Sequence, residues 1–348
     1  MAIPSTQKAL VYDEPGTMST KLVDLAVRDP GLGEVLVRLS HSGVCHSDLA
    51  VMTNSWSTLP HPTPAGQVGG HEGVGKVVKL GPGAETSGLS VGDRVGIKWI
   101  SSACGHCEPC LAGSDSLCFR SKISGYYTPG TFQQYVTGPA AYVTRIPEQL
   151  DSAQAAPLLC EGVTVYSALR RSQARSGQWL ASRGMGLRVV GVDHPSKADL
   201  VRSSGAEHFV DFTQFRKDDD TATGITAHVK KLCGGLGAHA VIACTAANEA
   251  YAQAVGFLRF NGTLVCVGVP EHAPVAIATA TPGAMIANQF TICGSNVGSR
   301  QDAIETLDFA ARGVIKSHVR VEKMSELTRV FEEMHEGKLQ GRVVLDVM

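Results

Sequence analysis

Four cysteines fall within one short stretch, Cys104, Cys107, Cys110 and Cys118 in "CGHCEPCLAGSDSLC", and no other feature limits the fold so tightly. Their spacing is two, two and seven intervening residues. Thiolates this close together in a reducing compartment fit a closed tetrahedral site, the arrangement that holds structural zinc. An iron–sulfur cluster also takes four cysteines, but the bacterial run ends on a different spacing and a following proline. This chain has Phe119 there. Four unrelated free thiols are the plain alternative, and the regular spacing argues against it. A metal-stapled lobe is expected, and by itself it carries no chemistry.

A second cluster is spread along the chain. Gly69-Gly70-His71-Glu72-Gly73-Val74-Gly75 sets a histidine beside a carboxylate between glycines. Upstream lies Cys45-His46-Ser47-Asp48, and downstream Cys160-Glu161-Gly162. A Cys, a His and a second Cys form one of the ligand sets of catalytic zinc, with the fourth position left for water or substrate. A chain with 10 Cys and 12 His offers many such triples. The same residues also read as a glycine-rich turn around a hydrogen-bonded core histidine. Spacing alone leaves both readings open.

With 348 residues the chain is long enough for two domains and an ample core. A formal net charge of -1 gives no electrostatic reason to expect nucleic acid or an acidic membrane surface as partner. The first residues show no signal-type apolar region, and no apolar run approaches the ~18–20 residues of a membrane span. A cytoplasmic location is expected. Disulfides are rare there, so clustered cysteines read first as metal ligands.

Lys8 to Val11, Glu34 to Leu39, Gly75 to Leu80 and Leu89 to Val95 read as short strands between Pro-Gly turns, which points to a β-barrel-like antiparallel domain. Beyond Cys160 the texture changes. Val163 to Gln173 has helical spacing, and Leu187 to Asp193 reads as a buried strand ending in an acid. Further apolar runs at Ala240 to Cys244, Thr263 to Val269 and Thr291 to Ser295 alternate with helical segments at Ser196 to Ser204 and Asn248 to Phe260. Strands alternating with helices predict a parallel α/β sheet. Two more helices, from Gln301 and over Met324 to Glu336, precede a last strand, Arg342 to Val347. The glycine-rich Cys233 to Cys244 precedes a strand, so it reads as a helix-ending turn and not a phosphate loop.

The segments "CHSDL", "GGHEGVG", "VGDRVGIKWISSACGHCEPC", "SGYYTPGTFQQY", "EGVTVYSALRRSQARSGQWL", "GLRVVGVDHPSK" and "GRVVLD" occur in one order along nearly the whole chain. In them the chain resembles the zinc-dependent medium-chain alcohol dehydrogenases, above all the yeast-type branch. The resemblance implies an α/β protein with a GroES-like β-barrel catalytic domain over 1–162 and 299–348. A Rossmann-type cofactor domain would occupy 163–298. It implies hydride transfer between an alcohol or aldehyde and NAD, with two zinc ions per chain, one catalytic and one structural. Cys45, His71 and Cys160 would bind the catalytic zinc, with Glu72 able to take its fourth position, and the four-cysteine run would bind the other. Asp48 matches the carboxylate that orients the ligand histidine, Ser47 the hydroxyl that carries the substrate proton, and His46 a pyrophosphate contact. Asp193 matches the acid that binds the adenosine ribose and favours NAD over NADP, with Lys197 close behind it. Val267, Val269, Ser295, Val297 and Arg342 match positions lining the nicotinamide and pyrophosphate sites. Trp56 matches a pocket position and suits a small alcohol or aldehyde. A homo-oligomer, tetramer or dimer, is implied as well.

Two departures stand out. The yeast-type pattern relays the proton through a histidine where this chain has Ala50. Between "SGQWL" and "MGLRVVGVD" stand only Ala181, Ser182, Arg183 and Gly184, where the family has a strand, a glycine-rich phosphate turn and a helix. Parallel neighbouring strands usually need a crossover of ~10–12 residues or more. On that ground the first strand, the turn and the first helix are expected to be missing and the cofactor domain truncated near 181–184. Two other readings follow from the lesion: a zinc-dependent lyase, isomerase or hydrolase, or an inactive relative. The dehydrogenase reading stands first.

Overall fold

The strand Glu34–Val44 is the spine of the N-terminal part of the chain. It pairs antiparallel with Glu72–Leu80, with Tyr135–Pro139 and with Arg342–Asp346, so the last strand of the chain joins a sheet begun by the first hundred residues. The computed structural model describes residues 2–181, 187–215, 224–271 and 275–348. They divide into two compact units, Met1–Thr164 with Val297–Met348, and Val165–Asn296.

In the first unit a seven-stranded sheet is antiparallel except where Val319–Lys323 runs parallel to Arg342–Asp346. Its apolar cluster includes Val35, Val37, Leu39, Val95, Phe132, Phe331 and Val343, all almost wholly buried. The glycines around His71 are there for space. Gly70 has φ +92°, a left-handed conformation that a side chain would strain. A Cβ at Gly75 would stand 2.2 Å from the carbonyl oxygen of Arg38, so the strand can approach its neighbour there only as glycine. The strand expected over Leu89 to Val95 begins only at Arg94. Gly92 has φ +101° and the Asp93 carboxylate accepts the Ser90 N–H at 2.9 Å, which makes Ser90 to Asp93 a turn.

The second unit is a parallel sheet of β1 (Trp179–Ala181), β2 (Arg188–Asp193), β3 (His208–Asp211), β4 (Ala238–Ala243), β5 (Leu258–Cys266) and β6 (Thr291–Gly294). The strand order is 3-2-1-4-5-6. Alternate residues serve opposite faces: Val241 and Ala243 enter one apolar cluster, Ala240 and Ile242 the other. Both faces are therefore covered, as a parallel sheet requires. The helix Ile225–Leu232 ends at Cys233, with Gly234 and Gly235 at positive φ, and β4 follows. That is the helix-ending turn read from the sequence.

The first strand is not missing, which corrects the sequence reading. β1 holds the mid-sheet place, with Trp179 opposite Arg188, Leu180 opposite both Val189 and Ala240, and Ala181 opposite Val241. The reason is length. Retracing a three-residue strand takes ~10 Å, and the six residues 182–187, at up to ~3.3 Å each, exceed that. The usual crossover length assumes a helix on the way. The expected loss of the phosphate turn and first helix falls on 182–186, outside the described residues. Among the described residues no helix is long and apolar enough to cross a membrane.

Candidate active site

Three separate elements bring the second cluster together. Cys45 caps the helix His46–Thr53, and its backbone N–H donates to Asp48 Oδ2 at 3.0 Å, which closes a capping box. His71 immediately precedes the strand Glu72–Leu80. Cys160 follows the turn Ala156–Leu159 and precedes the helix Glu161–Ser172. Ligand atoms of Cys45, His71, Glu72 and Cys160 all lie within 4.8 Å of one another. His71 and Glu72 are wholly buried.

The Asp48 carboxylate decides how His71 presents itself. Asp48 Oδ1 lies 2.7 Å from Nδ1 and can only accept, so Nδ1 carries the hydrogen and Nε2 keeps its lone pair. That Nε2, like Glu72 Oε2, is buried and has no hydrogen-bond partner. Leaving such a group unsatisfied costs about 1–3 kcal/mol. A cation held between two thiolates and an imidazole nitrogen removes that cost, so the donor set fits zinc. The charges around the ring favour its protonated form, whose Nε2 proton a bound cation would displace. Burial opposes the imidazolium of His71, but the Asp48 charge and hydrogen bond override it and raise its pKa. A hydrogen bond from the Cys160 thiol holds Cys45 well below the usual thiol range, and the same bond pushes Cys160 up. Burial pushes Glu72 up to about 8, although Arg342 opposes this.

Around this centre Trp99 sets its ring edge-on to His71, with centroids 4.8 Å apart, and Trp56 packs on Trp99 at 6.0 Å. Ser47 Oγ lies 3.6 Å from Cys45 Sγ, within reach of whatever the thiolates hold. His46 is exposed, and Ala50 places a buried methyl where the yeast-type pattern has its relay histidine. Arg342, which reads from the sequence as an ordinary surface charge apart from the resemblance, is largely buried. Its guanidinium donates to Glu72 Oε1 at 2.6 Å, to the Val44 carbonyl at 3.0 Å and to Glu161 Oε2 at 2.5 Å. Val297 adopts φ +50°, rare for a β-branched residue, just before the Ser299–Asp302 capping box.

The four-cysteine run also converges. Ligand atoms of Cys104, Cys107, Cys110 and Cys118 lie within 4.8 Å of one another. Sγ of Cys107 is 3.5 Å from that of Cys110 and 3.8 Å from that of Cys118. Tetrahedral zinc with ~2.3 Å bonds sets its sulfurs ~3.8 Å apart, so this set fits the ion as well. Backbone N–H groups, first that of Cys110, hold the Cys107 thiol down at about 6.

In the second unit Asp193 ends β2, exposed, with its Oδ1 accepting the His194 N–H at 2.7 Å. Lys197 ends the short turn Pro195–Lys197 that follows. Val267 and Val269 lie just beyond β5, and Ser295 lies beyond β6 with its Oγ buried and unpartnered. In a sheet of this order, ligands bind outside the carboxyl ends of the strands, where all five of these positions sit. Sequence reasoning missed Trp99 and Glu161 as neighbours of the site. "GIKW" and the residue after Cys160 were both in view, but no local pattern ties them to His71 or Arg342.

The comparisons agree with this geometry. Residues 31–148 match the model of the alcohol dehydrogenase GroES-like domain, and 176–312 that of the zinc-binding dehydrogenases. Alcohol dehydrogenase 2 of Emericella nidulans is 63% identical, with 99% of this chain and 98% of that protein covered. The alignment spans 362 positions against 348 residues here, so at least 14 positions have no counterpart in this chain. An alcohol dehydrogenase of Schizosaccharomyces pombe is 37% identical, covering 100% and 99%. Among solved structures, the acetophenone reductase of Geotrichum candidum in complex with NAD is 25% identical at a TM-score of 0.83, over 99% of this chain and 98% of that one. An NAD-dependent alcohol dehydrogenase is 27% identical at a TM-score of 0.83, over 98% and 100%. On this sequence identity, sustained from end to end, the chain belongs to the zinc-binding alcohol dehydrogenases.

Proposed function

We propose that this protein oxidises a small alcohol, or reduces the matching aldehyde, with NAD as the hydride carrier. The observation that carries the proposal is the meeting of Cys45, His71 and Cys160 around two buried, unpartnered atoms. These three residues would hold the catalytic zinc, with Glu72 able to enter its coordination, and the four-cysteine lobe a structural one. Bound there, zinc supplies Lewis acidity that lets an alcohol ionise near neutral pH. The protein's own groups do the rest. Asp48 fixes the His71 tautomer. Ser47, beside Cys45, accepts the proton that the substrate hydroxyl gives up. With Ala50 in the relay place, that proton leaves through water. Trp56 and Trp99 narrow the space near His71 and select small substrates.

Asp193 at the end of β2 supports the dinucleotide reading, since an acid at that place accepts from ribose hydroxyls and disfavours a 2′-phosphate. His46, Lys197, Val267, Val269, Ser295, Val297 and Arg342 complete the proposed cofactor contacts. A cytoplasmic location belongs to the same proposal, and so does assembly into a dimer or tetramer, which rests on the resemblance.

The test is a fluorescence titration with NADH on protein of measured zinc content, followed by NADH formation from a small primary alcohol. Saturable micromolar binding and turnover that chelation abolishes are expected. Zinc-replete protein with neither binding nor turnover would favour the non-redox reading and sink this one.

A further inference from the structure

Arg342 is shared by two carboxylates of very different freedom. Glu72 is wholly buried and takes Nη2 at 2.6 Å. A Cβ on Gly43 would stand 1.9 Å from Glu72 Oε2, so Glu72 packs directly against the backbone of that glycine. Glu161 takes Nη1 at 2.5 Å, and its side chain is 53% exposed against 17% for Arg342. Glu161 is also the first residue of the helix Glu161–Ser172, where its side chain can swing into water with little loss.

An anion that approaches Arg342 Nη1 from solvent therefore meets the half-exposed Glu161 carboxylate already there. We propose that Glu161 is an internal competitor for the phosphate oxygen that Arg342 receives, and so sets how tightly the dinucleotide is held. The inference rests on the cofactor reading above. Glu161 offsets the charge of the guanidinium, so an incoming anion meets little attraction there until Glu161 turns away. Release is eased in the same way, because Glu161 returns as the cofactor departs. Dissociation of product often limits turnover in enzymes of well-evolved chemistry, so such a residue trades affinity for rate. Glu161 is a positioning residue here, since it acts through Arg342.

The test compares wild type with Glu161→Gln and Glu161→Ala. NADH binding is followed by fluorescence, ADP-ribose and adenosine binding by calorimetry, and release by stopped flow. Both variants should bind NADH and ADP-ribose about three- to tenfold tighter, with adenosine unchanged and NADH release slowed. Unchanged or weaker NADH binding in both variants overturns the inference, as does a tightening that extends to adenosine. If wild type and variants alike bind no NADH at millimolar concentration, the cofactor reading falls and this inference with it. Wild-type binding beside unaltered variants removes the inference alone.

Discussion

Asp48 Oδ1 lies 2.7 Å from His71 Nδ1, and the two side chains are exposed to only 2% and 0%. Nothing else among the described residues accepts the Nδ1 hydrogen, so the direction in which His71 offers its lone pair depends on this one carboxylate. Asp48 also closes the capping box on Cys45, so a single side chain orients two of the proposed ligands.

Asp48→Asn keeps the shape and removes the charge. Zinc affinity, measured by competition with a chromophoric chelator, should fall about 10–100-fold, and alcohol oxidation with it. The four-cysteine lobe should keep its ion. Unaltered zinc affinity would show that His71 is oriented by packing alone.

Cys110→Ser tests the other centre. Asp115, inside the cysteine lobe, accepts the Tyr142 hydroxyl at 2.7 Å and the Arg300 N–H at 3.2 Å, which ties the lobe to the start of the helix Arg300–Ala311. Losing the lobe's ion should loosen that tie. The variant is expected to carry one zinc fewer per chain and to lose about 2 kcal/mol of stability or more, ~4–8 °C in melting temperature. Full zinc content with unchanged melting would show that the thiols are not a metal site.

Lys98 gives a pH prediction. Its ammonium is buried, donating to the Tyr142 carbonyl at 2.8 Å and to Thr144 Oγ1 at 2.7 Å. Burial lowers its pKa to about 7, with the Asp115 carboxylate opposing and Arg300 assisting. A lysine whose folded pKa lies below its unfolded value takes up a proton on unfolding. It therefore costs stability below about 7, and that cost is relieved as pH rises from about 7 toward the ordinary value of 10.5. Over that window the wild type should gain stability with a slope up to ~1.4 kcal/mol per pH unit steeper than Lys98→Met. Equal slopes in denaturant titrations at pH 7 to 9.5 would place the amine in water.

Much of this was legible in the residues. Thiols two, two and seven residues apart can reach one small volume through local turns alone, so their spacing predicted the cysteine lobe. Alternation of apolar runs with helical segments likewise predicted the parallel sheet, and its glycines the turn that ends Ile225–Leu232, because period and turn chemistry act over a few residues.

What lay beyond such reach needed the folded chain. Cys45, His71 and Cys160 stand on three elements with long stretches between them, and their convergence depends on how those elements pack. Trp179–Ala181 is too short to show a period, and only its partners in β2 and β4 identify it as the central strand. The contact between Glu161 and Arg342 joins residues far apart in the chain through the pairing of the last strand with Glu34–Val44. Short-range pattern is written residue by residue, whereas contacts across the chain belong to the topology that closes them.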